Sequence, residues 1–299
     1  MKNKVMVGVP TYPGHSYCKP ELVKFLEGLD AEVLIVWNGD TLPKGFGSLK
    51  VENMGRYDNF DETLSNPGWN KDLVLKQRVL VAKHNLIRKR FLESDCTHLL
   101  HLESDVIPPA DILERLLAHK VDAVSALYFI ASQQKAVFRL EENEYVQMQV
   151  QKAGLDGMAI AHYVRQSLTP CVFGYQRTST GGFSTPSLTH RLWQVEDWIE
   201  ARNRGYGLVP VVATGVGCIL LSRKAMTEVT FMDAGEFSDY MEFDEPVMQL
   251  TDWILCSLLR SRGYQVHVDI DAICQHHSID TTKDPILMQA YDNETMKPA

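Results

Sequence analysis

Apolar positions in this chain alternate between short unbroken runs and helical spacing. Lys4-Val-Met-Val-Gly-Val9 is such a run and predicts a buried strand, and Pro10-Thr11-Tyr12-Pro13-Gly14 predicts the loop after it. Pro20 stands where a helix would begin, and Leu22, Phe25, Leu26 and Leu29 follow at helical intervals. Ala31 to Trp37 predicts a second strand, stopped by Asn38-Gly39-Asp40, and residues 40 to 70 are polar with little period. From Asp72 to Ser94 the spacing is helical, with Leu80, His84, Ile87 and Phe91 on one face. Thr97 to Leu102 predicts a strand ending in Glu103-Ser104-Asp105, Ala110 to His119 a helix, and Asp122 to Tyr128 another strand. Strands alternating with helices indicate βαβ units, hence an α/β fold with a mostly parallel central sheet flanked by helices.

Regularity falls off between residues 131 and 205, which hold a Gln/Glu-rich piece, a Gly/Ser/Thr loop at Thr178 to Ser187 and an amphipathic helix around Trp193 to Arg202. Trp193 and Trp198 on that helix suit a core or interface better than a sugar platform, at least one of them belonging to the core. Strands are expected again at Leu208 to Ala213 and Gly217 to Leu221, a helix at Asp252 to Arg262 stopped by Gly263, and a strand through Val266, Val268 and Ile270. Cys274-Gln275-His276-His277 precedes a polar tail.

Composition narrows the classes. With 45% apolar and 23% charged residues the chain is globular in type. A formal charge of −8 argues against a partner as polyanionic as nucleic acid, while leaving room for a local basic pocket. The six cysteines include no C-x-x-C pair and sit singly in apolar segments, as reduced core residues of a cytoplasmic protein would. The start of the chain lacks a signal-peptide apolar region. The longest nearly apolar stretch, Val209 to Leu221, is interrupted by Thr214 and glycines and falls short of the ~20 residues of a spanning helix, so a soluble protein without a transmembrane segment is expected.

Four constellations could carry chemistry. Glu103 and Asp105, at i and i+2 of an extended chain, face the same side at the carboxyl end of an apolar strand, where open α/β sheets bind ligands. Two neighbouring carboxylates repel unless a cation intervenes, so a hard divalent metal suits them; solvated loop acids are the plainer alternative. His276-His277 offers imidazoles pointing opposite ways, one toward a site and one away. Asp252 opens a helix, where it can cap and complement the dipole or act as a general base; Glu242, Asp244 and Glu245 are competing acids. Gly215-Val216-Gly217 would let a substrate approach the backbone. No G-x-G-x-x-G follows the first strand, and neither a P-loop nor a G-x-S-x-G elbow occurs, which removes the NAD-type dehydrogenase reading.

Taken in order, Val7-Gly-Val-Pro-Thr-Tyr12, Val81-Ala-Lys-His-Asn-Leu86, His98 to Pro109 with its acid-x-acid end, Ala213 to Arg223, Thr251-Asp252 and His276-His277 resemble a GT-A type glycosyltransferase of the family-2-like group. The resemblance covers residues 4 to 128 and 206 to 278. It implies a nucleotide-sugar-binding half at 1–130, a variable acceptor-side region at 131–205, an acceptor and catalytic half at 206–280 and a tail at 281–299. It further implies a UDP- or GDP-linked donor lined by Pro10, Thr11, Tyr12, Asn38, His84, Glu103, Ser104 and Asp105. A Mn2+ or Mg2+ ion would be held by Asp105, with Glu103 helping through ribose, water or metal, and with His276 or His277. Gly215, Gly217 and Glu245 would lie on the acceptor side. Asp252 would take the acceptor hydroxyl proton in an inverting displacement, although no spacing fixes inversion over retention.

Two departures stand out: Glu103 replaces the first aspartate, and His84 replaces the usual arginine, a position equally suited to a core histidine. Two other readings remain open, a sugar nucleotidyltransferase and a non-catalytic nucleotide- or carbohydrate-binding protein of the same fold. Tyr12-Pro13-Gly14-His15 is a poor triphosphate loop, which sets the first of these back.

Overall fold

Val5–Thr11 forms β1, whose side chains alternate between two apolar layers: Val5, Val7 and Val9 enter one, Met6 the other. The computed structural model describes residues 3–16, 18–55, 71–138, 161–178, 187–193, 195–240 and 251–277. After β1 come α1 (Lys19–Glu27), β2 (Glu32–Trp37), β3 (Lys50–Asn53), α2 (Lys71–Glu93), β4 (His98–Leu102), β5 (Val106–Ile107), α3 (Ile112–Ala118) and β6 (Ala123–Leu127). Then follow β7 (Phe129–Phe138), β8 (Ala161–Pro170), β9 (Val172–Thr178), β10 (Ser187–Leu192) and α4 (Val195–Asn203). The last group is β11 (Leu208–Val211), β12 (Ala213–Thr214), β13 (Cys218–Ser222), α5 (Arg223–Glu228), α6 (Ala234–Tyr240), α7 (Thr251–Ser261), β14 (Val266–Ile273) and β15 (Gln275–His276).

Eight strands make the central sheet in the order β11-β14-β6-β13-β4-β1-β2-β3. Their pairings leave β3, β2, β1, β4, β6 and β14 running one way, with β13 and the edge strand β11 against them. Both faces are covered, as a sheet built largely of parallel strands requires. Leu22 and Leu26 of α1 and Ile112 and Leu116 of α3 pack on one face; Val81, Ile87 and Phe91 of α2 and Ile254, Leu255 and Leu258 of α7 pack on the other. Ile87 and Phe91 have no exposed surface, and each such side chain contributes roughly 1.5–3 kcal/mol by burial. A Cβ at Gly8 would fall 2.1 Å from Ile87 Cγ2, so glycine lets α2 sit directly on β1. This is the expected α/β architecture, a mostly parallel Rossmann-like or GT-A-like sheet between helices with a less regular insertion.

Two expectations change in detail. The segment from Leu208 to Leu221 holds three strands rather than two, because Val212 turns the chain out of the main sheet and β12 joins β9 and β10 in a separate three-stranded sheet. The middle region, which carries no clear period, contains the antiparallel ladder of β7 and β8 from Phe129–Pro170 to Phe138–Ala161. Its polar strands, such as Ser132-Gln-Gln-Lys135, lack the apolar alternation by which a strand is recognised. Trp198 is core, donating its ring N–H to the Ile270 carbonyl over 3.0 Å.

Candidate active site at the carboxyl edge of the sheet

β1, β2 and β4 run parallel and therefore end on one edge, which collects Tyr12, Asn38 and the turn Glu103-Ser104-Asp105. The turn is held by the Glu103 N–H donating to the Gly217 carbonyl over 2.8 Å and the Val106 N–H donating to the Glu103 carbonyl over 3.1 Å. β15 returns to pair with β5, His276 opposite Val106, and the His277 N–H donates to the Asp105 carbonyl over 2.7 Å. That short ladder puts His276 beside Asp105, their Nε2 and Oδ2 atoms 3.6 Å apart.

The adjacent histidines do diverge. His276 hydrogen-bonds through Nδ1 to the Phe129 carbonyl over 3.0 Å, which leaves Nε2 facing the carboxylate. His277 turns its Nε2 to Glu21 on α1, 3.2 Å away. Asp105 is buried, its Oδ1 without a hydrogen-bond partner. Burial pushes its carboxyl up, but His276 and His15 outweigh that and hold it below the ordinary range. His276 is correspondingly raised against its own burial. Glu103 is pushed up to about 8 by burial first and then by the charges of Asp105 and Asp252, so it shares their field.

Asp252 opens α7, which is tied to β12 by the Cys256 thiol on the Thr214 carbonyl. Burial raises its carboxyl, and the Trp253 N–H donates to its Oδ1 over 2.7 Å. Its charge also reaches Tyr128 and Cys171. The structure thus gathers Glu103, Asp105, His276 and Asp252 around one region, from three separate stretches of sequence.

Other expected residues fall differently. Pro10 and Thr11 are buried within β1, leaving Tyr12, 43% exposed, as the accessible one of these three residues. Asn38 is half-buried, with Oδ1 enclosed and unpartnered. Ser104 is buried, and its hydroxyl is engaged by His15 Nδ1 at 2.7 Å, so it positions the loop rather than facing a donor. His84 has no exposed surface; it packs edge-on against His101 and Phe231 at centroid distances of 4.4 and 4.6 Å and cannot touch a donor from there. The apolar face it shares with Ile87 and Phe91 decides this. Gly215 and Gly217 do not leave room for a substrate either. Cβ atoms there would fall 1.7 and 2.7 Å from the Tyr128 hydroxyl and ring, respectively, so the glycines accommodate Tyr128. Glu245 lies outside the described residues.

Three site residues carry no sequence signal of their own. His15, in the loop after β1, places Nε2 3.7 Å from Asp105 Oδ2. Lys83, in the segment of α2 named above, is buried and donates to the Thr11 carbonyl over 3.0 Å beneath the Tyr12 ring. Tyr128 packs edge-on against His276 at 5.1 Å. A lone histidine, lysine or tyrosine becomes legible only when strand order brings it to the edge.

Among the described residues, Glu32, Asp95 and Cys96 have ligand atoms within 4.8 Å of one another and could coordinate a metal. The Lys4 ammonium already bridges both of these carboxylates, so that charge is compensated. The group stands by the start of β4, at the opposite end from Asp105.

No family model and no curated protein matches this chain. Solved structures do. It is similar to the galactosyltransferase LgtC in complex with donor and acceptor sugar analogues, at 11% identity, covering 90% of this chain and 72% of that one, with a TM-score of 0.37. It is also similar to glucosyl-3-phosphoglycerate synthase from Mycobacterium tuberculosis in complex with phosphoglyceric acid, at 11% identity over 100% and 82%, TM-score 0.37. A third is A197 from STIV, at 10% identity over 84% and 82%, TM-score 0.35. At these identities and TM-scores the similarities single out no family. No described helix is long and apolar enough to cross a membrane.

Proposed function

We propose that this protein is a metal-dependent glycosyltransferase that moves a sugar from a UDP- or GDP-linked donor to an acceptor hydroxyl, with inversion. The observation that carries the reading is the meeting of Asp105, His276, Glu103 and Asp252 at the carboxyl edge of the sheet. The residues fit a divalent cation: Asp105 has a buried oxygen without a partner, and His276 is fixed by Phe129 with Nε2 turned inward. Asp105 and His276 would hold the ion and Glu103 would support it; His277, turned to Glu21, would not. When bound, a Mn2+ or Mg2+ ion supplies Lewis-acid stabilisation to a leaving diphosphate.

The chain's own residues do the rest. Tyr12 offers an exposed ring to the nucleoside, Asn38 beside it keeps an enclosed amide oxygen without a partner, and the Lys83 ammonium beneath Tyr12 adds positive potential. The acceptor oxygen attacks the anomeric carbon as the bond from that carbon to the diphosphate oxygen breaks. The departing electron pair stays on the nucleoside diphosphate, and the hydroxyl proton passes to the Asp252 carboxylate. Burial raises the basicity of Asp252, which suits that task.

Calorimetric titration of UDP and GDP, with and without manganese, into the wild type and Asp105→Ala tests this. Manganese-dependent binding that Asp105→Ala abolishes is the expected result. Absence of binding to either nucleotide under every condition would overturn it, and would favour solvated loop acids on a non-catalytic fold.

A further inference from the structure

The loop after β1 carries a residue that the proposed reaction has not used. His15 approaches Asp105 from the side of α1, while His276 approaches through β15, and both present Nε2 to the same oxygen, Oδ2, at 3.7 and 3.6 Å. Both rings are oriented from behind in the same way: His15 Nδ1 meets Ser104 Oγ at 2.7 Å, and His276 Nδ1 meets the Phe129 carbonyl at 3.0 Å. A partner on Nδ1 is the usual device for fixing an imidazole as an Nε2 ligand. The Cys18 thiol, donating to the carbonyls of His15 and Ser104 over 3.1 and 3.0 Å, fastens the loop to the acidic turn.

The separations discriminate between two arrangements. A charge-assisted N–H···O bond is about 2.7–2.9 Å long, so 3.6 and 3.7 Å are too long for direct pairing. Two ligand atoms each about 2.1 Å from one ion stand roughly 3 to 4 Å apart, which brackets both values. Asp105, only 8% exposed, meanwhile keeps Oδ1 without a partner. The two imidazole nitrogens stand more than 4.8 Å from each other, farther than one ion spans, so one ring must give up its Nδ1 bond and rotate for both to reach it.

We infer that His15 is a second imidazole ligand, giving this site a two-histidine, one-carboxylate donor set that selects a first-row transition ion such as Mn2+ over Mg2+. Imidazole suits transition ions, whereas Mg2+ prefers oxygen and water. The inference rests on the metal-dependent reading above, and adds to it the ligand from the β1 loop and the class of ion.

The test uses the full chain and Mn2+ alone, following free Mn2+ by electron paramagnetic resonance and counting bound nitrogens by electron spin echo modulation. Wild type is expected to show two imidazole nitrogens and to bind Mn2+ at least about tenfold more tightly than Mg2+. His15→Ala and His15→Gln, each checked for an unchanged circular dichroism spectrum, are expected to show one nitrogen and at least about tenfold weaker binding. His277→Ala should match wild type. If Asp105→Ala loses Mn2+ while both His15 variants bind it as wild type does, His15 is no ligand and only this inference falls. Equal affinity for Mn2+ and Mg2+ overturns the selectivity. Failure of wild type to bind Mn2+ at all removes the metal-dependent reading as well.

Discussion

The ammonium of Lys83 donates to the Thr11 carbonyl over 3.0 Å and lies 5.4 Å from the centre of the Tyr12 ring, so a buried cation supports the loop at the mouth of the site. Burial lowers Lys83 to about 8 from 10.5. The unfolded chain therefore binds more protons between pH 8 and 10.5, and stability gains from this group as pH rises through that window. Denaturant unfolding should show the gain, of order 3 kcal/mol at most, in wild type and its loss in Lys83→Met. Parallel pH profiles for the two proteins would contradict this assignment.

His84 keeps both ring nitrogens buried without hydrogen bonds, which costs the folded state. His84→Leu, which preserves the apolar contact with Phe231, is expected to raise stability by about 1 kcal/mol and the melting temperature by roughly 2–4 °C. Burial also holds His84 well below 6.5 in the folded state. Unfolded protein takes up the proton first, so wild-type stability declines as pH falls below 6.5, and the variant should decline less. His101, lowered to about 4, retains its own share of the acid sensitivity in both proteins. Melting curves between pH 4 and 7 check the sign.

Gly215 cannot accept a methyl group without moving Tyr128 or Cys171, whose hydroxyl and thiol lie 1.7 and 2.8 Å from the added Cβ. Gly215→Ala is expected to lose about 1–3 kcal/mol through overpacking. Tyr128→Leu in the same chain should recover part of that loss, a non-additivity readable from a double-mutant cycle.

Asp252→Asn removes the proposed proton acceptor while keeping the oxygen that the Trp253 N–H bonds. The expected result is a kcat lower by about 10²–10⁴-fold with donor affinity within twofold of wild type. A KM effect alone would place Asp252 in binding rather than proton transfer.

Much of this fold could be read from local pattern, because each element carries its own signal. The run at Val5 to Val9, the helical face of Ile87 and Phe91, and the stop at Gly263 with its φ of 84° all act within a few residues of themselves. Glu103, Asp105 and the divergence of the two histidines were legible for the same reason, since strand ends and side-chain alternation are local. His15 was not: nothing near Tyr12-Pro13-Gly14 announces that β15 will arrive opposite it. The role of Gly215 was misread because its neighbour across space, Tyr128, comes from the end of another strand. His84 divides the two cases, its helical face pointing to the core while its standing where the resemblance expects an arginine pointed to the ligand.

The pairing of β15 with β5 sets a schedule for synthesis. Asp105 and His15 leave the ribosome early, but His276 and its brace on Phe129 cannot be joined until nearly all of the described chain has been made. At about 5–20 residues per second, the acid waits roughly ten to thirty seconds for its histidine partner. During that interval the growing polypeptide presents an unfinished carboxylate pair without the imidazole from β15. The proposed cation site is therefore a late product of translation, assembled only after the layers beneath it have had time to form.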